Sequence, residues 1–211
     1  MAVLISGSGT TLVNLAREIA AGSLPVSIVG VISSRSGVAG IARANELGLP
    51  VEIIERKSFA DSASFSHCLT ARLDQWNPDF VCMAGFLSLW NIPPHYTGRV
   101  LNIHPALLPK FGGRGMHGLK VHQAVIAAGD ALSGCTVHLA DNQYDHGPVL
   151  LQRTCPVLPA DTPDALAARV FVQECKAYPE AIRLFLISLG LKPSAPENDR
   201  SDMRHAGHDS E

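Results

Sequence analysis

What constrains this chain most is the alternation, through its first half, of short β-branched apolar runs with helical patterns. Ala2 to Ser6 precedes Leu12 to Ala21, Val26 to Ser33 precedes Val38 to Leu47, and Val51 to Ile54 precedes Ser62 to Trp76. Such runs suit strands buried on both faces, and the helical stretches between them are long enough to cross back over a sheet. The rhythm predicts βαβ units in an α/β fold, a mostly parallel twisted sheet with helices on both faces. Asp79 to Ala84 and Arg99 to Ile103 continue as buried strands, and His117 to Ala128 reads as a helix. Cys135 to Ala140 and Val149 to Val157 read as a late antiparallel strand pair. Asp161 to Leu189 closes with a long amphipathic helix behind the cap-like Asp161-Thr162-Pro163. Residues 1–191 are expected to form a single domain. From Lys192 the chain turns polar, and 192–211 is expected to be a disordered tail.

With 211 residues and a formal net charge of −2, the chain has material for one sizeable core and no basic excess for nucleic acid. Its longest apolar runs, such as Val26 to Ile32, are far short of the roughly 20 residues of a membrane span. Met1 to Ile5 runs straight into a glycine turn, which reads as a first strand and not as a signal peptide. Five cysteines, Cys68, Cys82, Cys135, Cys155 and Cys175, are scattered, odd in number and free of CxxC pairs. They point to reduced thiols and a cytoplasmic location.

Chemistry concentrates at Leu101-Asn102-Ile103-His104-Pro105-Ala106-Leu107-Leu108-Pro109. Side chains alternate along a strand, so Asn102 and His104 face the same way. An amide N–H donor beside an imidazole can stabilise an oxyanion while a proton moves, as acyl transfer requires. The same two residues are also ordinary partners for loop backbone groups. A second segment, Val137 to Pro148, contains Asp145, which is placed to orient and charge-stabilise His104.

Ser6-Gly7-Ser8-Gly9-Thr10-Thr11 follows a strand and opens a helix, a turn whose N–H groups and hydroxyls suit a phosphate. It lacks GK[ST] and the third glycine of a dinucleotide fingerprint, and a tight turn with no ligand explains it equally well. Arg35, at the end of the second strand, could accept a 2′-phosphate, which keeps an NADP oxidoreductase in play. Against that rival, no Tyr and Lys pair for hydride chemistry occurs. A nucleophilic hydrolase lacks its GxSxG. His117 and His122 lie on different helix faces, so no metal is expected.

Taken together, GSGTT, Ala84-Gly85-Phe86, LNIHPALLPKF, SGCTVH, YDHGPV and QECKAYPEAI resemble the phosphoribosylglycinamide formyltransferase family over Met1 to Leu191, in the family's order and near its spacing. Relatives that share this core, methionyl-tRNA formyltransferase and formyltetrahydrofolate deformylase, usually carry an extra domain. The chain's length favours the purine-pathway member. The resemblance implies a Rossmann-like domain that moves the formyl group of 10-formyltetrahydrofolate to the amine of glycinamide ribonucleotide in de novo purine biosynthesis. Asn102 and His104 would stabilise a tetrahedral intermediate with support from Asp145, and the protein would be a monomer or homodimer. A 10-formyltetrahydrofolate deformylase is the rival within the family.

By matching positions, the resemblance gives the ribonucleotide phosphate to Gly9, Thr10 and Thr11, and its sugar or glycinamide end to Gln173 and Glu174. The folate slot falls to Leu87, Ser88, Leu89, Trp90, Asn102, Asp141, Asn142, Gln143 and Tyr144, although Trp90 would serve equally as a packing residue. Several positions depart from the family's pattern. The loop Phe111 to Lys120 is longer and richer in glycine, Ala106 stands where Ser is frequent, and Cys175 where His is common. Ser62 stands where some members bind folate through Arg, and the segment after Trp90 is about two residues shorter than usual.

Overall fold

A computed structural model describes residues 1–190, so the polar tail expected over 192–211 lies outside the described residues. The apolar runs become strands β1 (Ala2–Ile5), β2 (Gly30–Ser33), β3 (Val51–Ile53), β4 (Val81–Met83) and β5 (Val100–His104), followed by β6 (Leu132–Leu139) and β7 (Val149–Pro156). The helices are α1 (Thr10–Ala20), α2 (Ala39–Glu46), α3 (Ser62–Trp76), α4 (Leu119–Ala127) and α5 (Pro163–Ser188). The strands join one sheet in the order β3-β2-β1-β4-β5-β6-β7. Pairing is parallel from β3 through β5 and antiparallel at β5–β6 and β6–β7. This is the expected Rossmann-like architecture with its late antiparallel pair.

Alternation along β1 divides the interior in two. Val3 and Ile5 pack with Leu12 and Leu15 of α1 and Ile182 of α5, whereas Ala2 and Leu4 pack with Phe65, Leu69 and Leu73 of α3. Strand β2 begins at Gly30, not at the expected Val26, because its ladder to β1 starts at Ala2 opposite Gly30. The backbone before it bonds elsewhere: Val26 N–H donates to Leu24 O, and the Met1 amine to Ser27 O. Gly30 lies under the Trp76 ring, where a Cβ would stand 2.6 Å from ring carbons, so no larger residue fits. Helix α4 starts at Leu119, after His117, because Gly118 at φ 59 breaks the helical path.

Helix α5 carries the last part of the site and is tied down at two points. Thr162 caps it by accepting from Ala165 N–H, with Pro163 in the first turn. Farther along, Pro179 has no N–H to offer the Cys175 carbonyl one turn back. Asn14 of α1 supplies the missing donor, its Nδ2 lying 2.9 Å from Cys175 O. The next residue towards the helix start, Tyr178, is fully buried, and its hydroxyl lies 3.0 Å from Met83 O and 2.9 Å from Leu101 O. Helix α5 is thereby fixed against the end of β4 and the start of β5. Asn14→Ala is expected to lower stability by about 1–2 kcal/mol, read by urea denaturation. The loss should shrink in a Pro179→Ala background, where the helix regains its own donor, and equal losses in both backgrounds would refute the compensation.

Candidate active site

The carboxyl ends of β1, β4 and β5 lie along one edge of the sheet, next to the point between β1 and β4 where the strand order reverses, a position at which ligands gather in open α/β sheets. On β5, Leu101 and Ile103 enter one core, so Asn102 and His104 turn to the opposite side. Antiparallel pairing sets His138 of β6 opposite Asn102, and Thr136 opposite His104. Four polar side chains thus share one face of two adjacent strands.

The loop after β6 returns Asp145 to this cluster in a left-handed conformation (φ 53) that Asp tolerates better than most residues. Its Oδ2 accepts from Gly113 N–H at 2.9 Å and lies 3.4 Å from His104 Nδ1, while its Oδ1 lies 3.4 Å from Asn102 Nδ2. His104 is 4% exposed, and its Nε2 lies 2.8 Å from the carbonyl of Phe111, so both ring nitrogens face acceptors. Asn102 Nδ2 is also 3.0 Å from His138 Nε2, and His138 Nδ1 is 3.1 Å from Leu139 O. Burial holds His138 below the ordinary histidine range despite the carbonyl and the nearby Asp145. The amide N–H groups of Asn102, expected to face a ligand, are therefore turned inward to Asp145 and His138.

The backbone that follows His104 is braced from below. Thr136 Oγ1 donates to Ala106 O at 2.7 Å and accepts from Leu108 N–H at 3.0 Å and from Gln152 Nε2 at 2.9 Å. Gln152 Nε2 also reaches Leu108 O at 2.9 Å. These bonds fix the segment between His104 and the Phe111 carbonyl that its ring meets.

A cavity of about 350 Å³ opens over the cluster, lined by Asn102, His104 and Asp145 together with Thr11, Leu87, Tyr144 and Glu174. Thr11 belongs to the first turn of α1. Gly9 caps that helix at φ 73 and lies so close to Gly40 that a Cβ would stand 2.6 Å from the Gly40 Cα. Only glycine satisfies both demands, which is what the tight strand-to-helix turn required. Glu174 faces the cavity from α5, and desolvation pushes its carboxyl up to about 7. Thr10 is exposed beside Thr11, and Gln173, half-buried next to Glu174, is not part of the cavity wall.

A second cavity, about 580 Å³, adjoins the first and shares Leu87, Arg114 and Tyr144 with it. Ser88, Leu89 and Ser62 line it beside Arg35, Arg56 and Lys57. Its acid, Glu55, is paired with Lys57 at 3.4 Å and accepts from Ser36 N–H, and these contacts hold its carboxyl below the usual range. The guanidinium groups of Arg35, Arg56 and Arg114 give the cavity a positive balance.

Other residues expected in the folate slot are spent on structure. Trp90 is 1% exposed, donates through Nε1 to Thr70 Oγ1 and packs on Tyr96. Asn142 Oδ1 accepts from Ile92 N–H, and its Nδ2 donates to Ile92 O, which fastens the Asp145 loop to the segment after β4. Asp141 pairs with His146 and accepts from Gln143 N–H, shaping the loop from within; Gln143 is exposed. The structure also brings His138, Phe111, Arg56 and Arg114 to the site, none of them among the expected site residues. His138 lies on the expected strand Cys135 to Ala140, but its place opposite Asn102 comes from the antiparallel register. A polar strip facing an imidazole that sits between two acceptors can hold and move a proton beside a carbonyl. Among the described residues, no group of three His, Cys, Asp or Glu side chains is placed to hold a metal ion.

Known proteins share this arrangement of chain. A formyl transferase model matches residues 1–182. The chain is 39% identical over 187 residues to the chloroplastic phosphoribosylglycinamide formyltransferase of Vigna unguiculata, covering 86% of this chain and 59% of that one. It is 34% identical over 189 residues to the phosphoribosylglycinamide formyltransferase of Haemophilus influenzae, covering 88% and 86%. The trifunctional purine biosynthetic protein adenosine-3 of Bos taurus is 37% identical over 186 residues, but the chain spans only 18% of its length. Among solved structures, glycinamide ribonucleotide transformylase 1 from Symbiobacterium toebii superposes with a TM-score of 0.82 at 36% identity, covering 89% of this chain and 87% of that one. With the model matched over most of its length and a relative aligned nearly end to end, this chain belongs to the formyl transferase family.

Proposed function

We propose that the protein transfers the formyl group of 10-formyltetrahydrofolate to the amine of glycinamide ribonucleotide in de novo purine biosynthesis. The observation that carries this reading is the convergence on one cavity of Asn102, His104 and Asp145 with Thr11 from the first turn of α1 and Glu174 from α5. A phosphate at the helix terminus and a sugar at Glu174 would bring the amine towards Asn102 and His104. Gly9, Thr10 and Gln173 stand beside these two anchors. The donor's pterin belongs against Leu87 and Tyr144. The guanidinium groups of the adjoining cavity match the carboxylates of a folate's glutamate, in place of the arginine that Ser62 lacks.

The amine attacks the formyl carbon, and the carbonyl electrons move to oxygen. His104 Nε2–H, which the Phe111 carbonyl holds in this structure, donates to the oxygen of the tetrahedral intermediate. Asp145 keeps the ring oriented through Nδ1, and Asn102 meets the intermediate from beside it. Collapse breaks the bond to the folate nitrogen, which gains the proton the amine loses. Five unpaired thiols favour a reducing compartment, and we place the reaction in the cytoplasm.

Purified protein is expected to consume 10-formyltetrahydrofolate only when glycinamide ribonucleotide is present, without matching formate. Formate in both reactions would establish a deformylase instead. His104→Ala should lower kcat about 100-fold or more, and Asp145→Asn by at least about tenfold, with unchanged circular dichroism; near-wild-type turnover by either would overturn the assignment. Arg35→Ala combined with Arg56→Ala should raise KM for the donor several-fold while sparing kcat, and an unchanged KM would remove the cationic cavity from donor binding. Glu174 adds a pH dependence. A carboxyl whose folded value is raised to about 7 costs the free protein stability as pH climbs from about 4.5 through 7. Glu174→Gln should therefore stabilise the free protein by on the order of 1 kcal/mol at pH 8 and change little at pH 4, as read by denaturation at both values.

A further inference from the structure

We propose that His138 is a positioning residue that fixes the polarity of the Asn102 amide, so that Asn102 presents its carbonyl oxygen to the cavity and accepts an N–H from the attacking amine. Leu139 O lies 3.1 Å from His138 Nδ1. Two acceptors do not face each other at that distance, so Nδ1 carries the proton. His138 is 1% exposed, and burial favours its neutral form, which leaves Nε2 with a lone pair. The Asn102 atom 3.0 Å from that lone pair must be the NH₂ nitrogen. Asp145 reaches the same conclusion independently. Its Oδ1 lies 3.4 Å from the same atom, where an amide oxygen would meet a carboxylate oxygen without a proton between them.

Both N–H groups of Asn102 are thus committed to the protein. No group among the described residues donates to its Oδ1, and Asn102 lines the cavity. The exposed polar atom at this point of the site is an acceptor. An acceptor beside an attacking amine holds one N–H and so aims the nitrogen lone pair at the formyl carbon. As the new C–N bond forms, the nitrogen becomes positive and its N–H a stronger donor, so the contact tightens towards the transition state. Donation to the developing oxyanion is left to His104. The amide keeps no proton, so the overall balance of one proton from amine to folate nitrogen is unaltered.

This inference rests on the amine-transfer reading above, but its first test does not. In ¹⁵N spectra of the full chain, with His138 identified by its absence in His138→Gln, the ring should show a protonated Nδ1 and a bare Nε2 at neutral pH. A protonated Nε2 would overturn the proposed polarity. The second test uses 10-formyltetrahydrofolate labelled with ¹³C at the formyl carbon and bound without the ribonucleotide. Its infrared carbonyl band should be the same in wild type and Asn102→Ala, and should move to higher frequency in His104→Ala. A shift in Asn102→Ala with turnover intact in wild type would overturn the acceptor role alone; absence of donor binding and turnover would overturn the function and this role together. In kinetics, His138→Leu should lower kcat/KM for the ribonucleotide about tenfold with donor KM unchanged, and His138→Gln, which can still accept from Asn102, should recover most of the loss. Equal activity of the two variants would refute the positioning role.

Discussion

A largely buried carboxylate is costly unless its oxygens are occupied, and Asp145 meets that demand by gathering three separate parts of the chain. Its two oxygens face the backbone of Gly113, the amide of Asn102, Nδ1 of His104 and, at 3.9 Å, Nε2 of His138. One group therefore sets the orientation of two β5 side chains, anchors the start of the glycine-rich loop and meets β6 from above. Its left-handed backbone is the local strain that this gathering requires. Asn142 offsets part of that strain by bonding both ends of its amide to Ile92, which keeps the loop seated.

The opposite wall of the site depends on α5. That helix contains a proline at a position where most helices would break, yet it continues because α1 donates from Asn14 to the carbonyl left open. Tyr178 then fixes the same turn to the carbonyls of Met83 and Leu101. Glu174 faces the cavity one turn before Tyr178, so the aim of its carboxylate is set by bonds to strands β4 and β5 and not by contacts of its own.

The order of elements was legible in the sequence because the parallel strands are short, mostly apolar runs rich in β-branched residues, set between longer stretches of helical period. Their ends were less legible. The start of β2 depends on where β1 begins to pair, which no local pattern records. In the site, Asn102 and His104 were legible from strand periodicity alone. His138 was not legible, because a histidine on a strand gains meaning only from the residue opposite, and the antiparallel register supplies that. For Trp90 the folate slot and a packing role were equally open in the sequence, and its indole finds Thr70 and Tyr96 in the core. Arg35 and Arg56 sit at opposite ends of a long segment and join one cavity only after β2 and β3 lie side by side.

The pairing of β5 with β6 carries a consequence for how this protein can change. Asn102 against His138 and His104 against Thr136 are alternate rungs of one ladder, with Ile103 against Val137 between them, so the four side chains are positioned by counting and not only by identity. A ladder that slips by one rung sends every side chain of the moving strand to the other face of the sheet. A one-residue slip of β6 against β5 would carry His138 and Thr136 away from their partners together, with every site residue still present in the chain. The spacing of β6 is thus part of the active site, as much as the residues it carries.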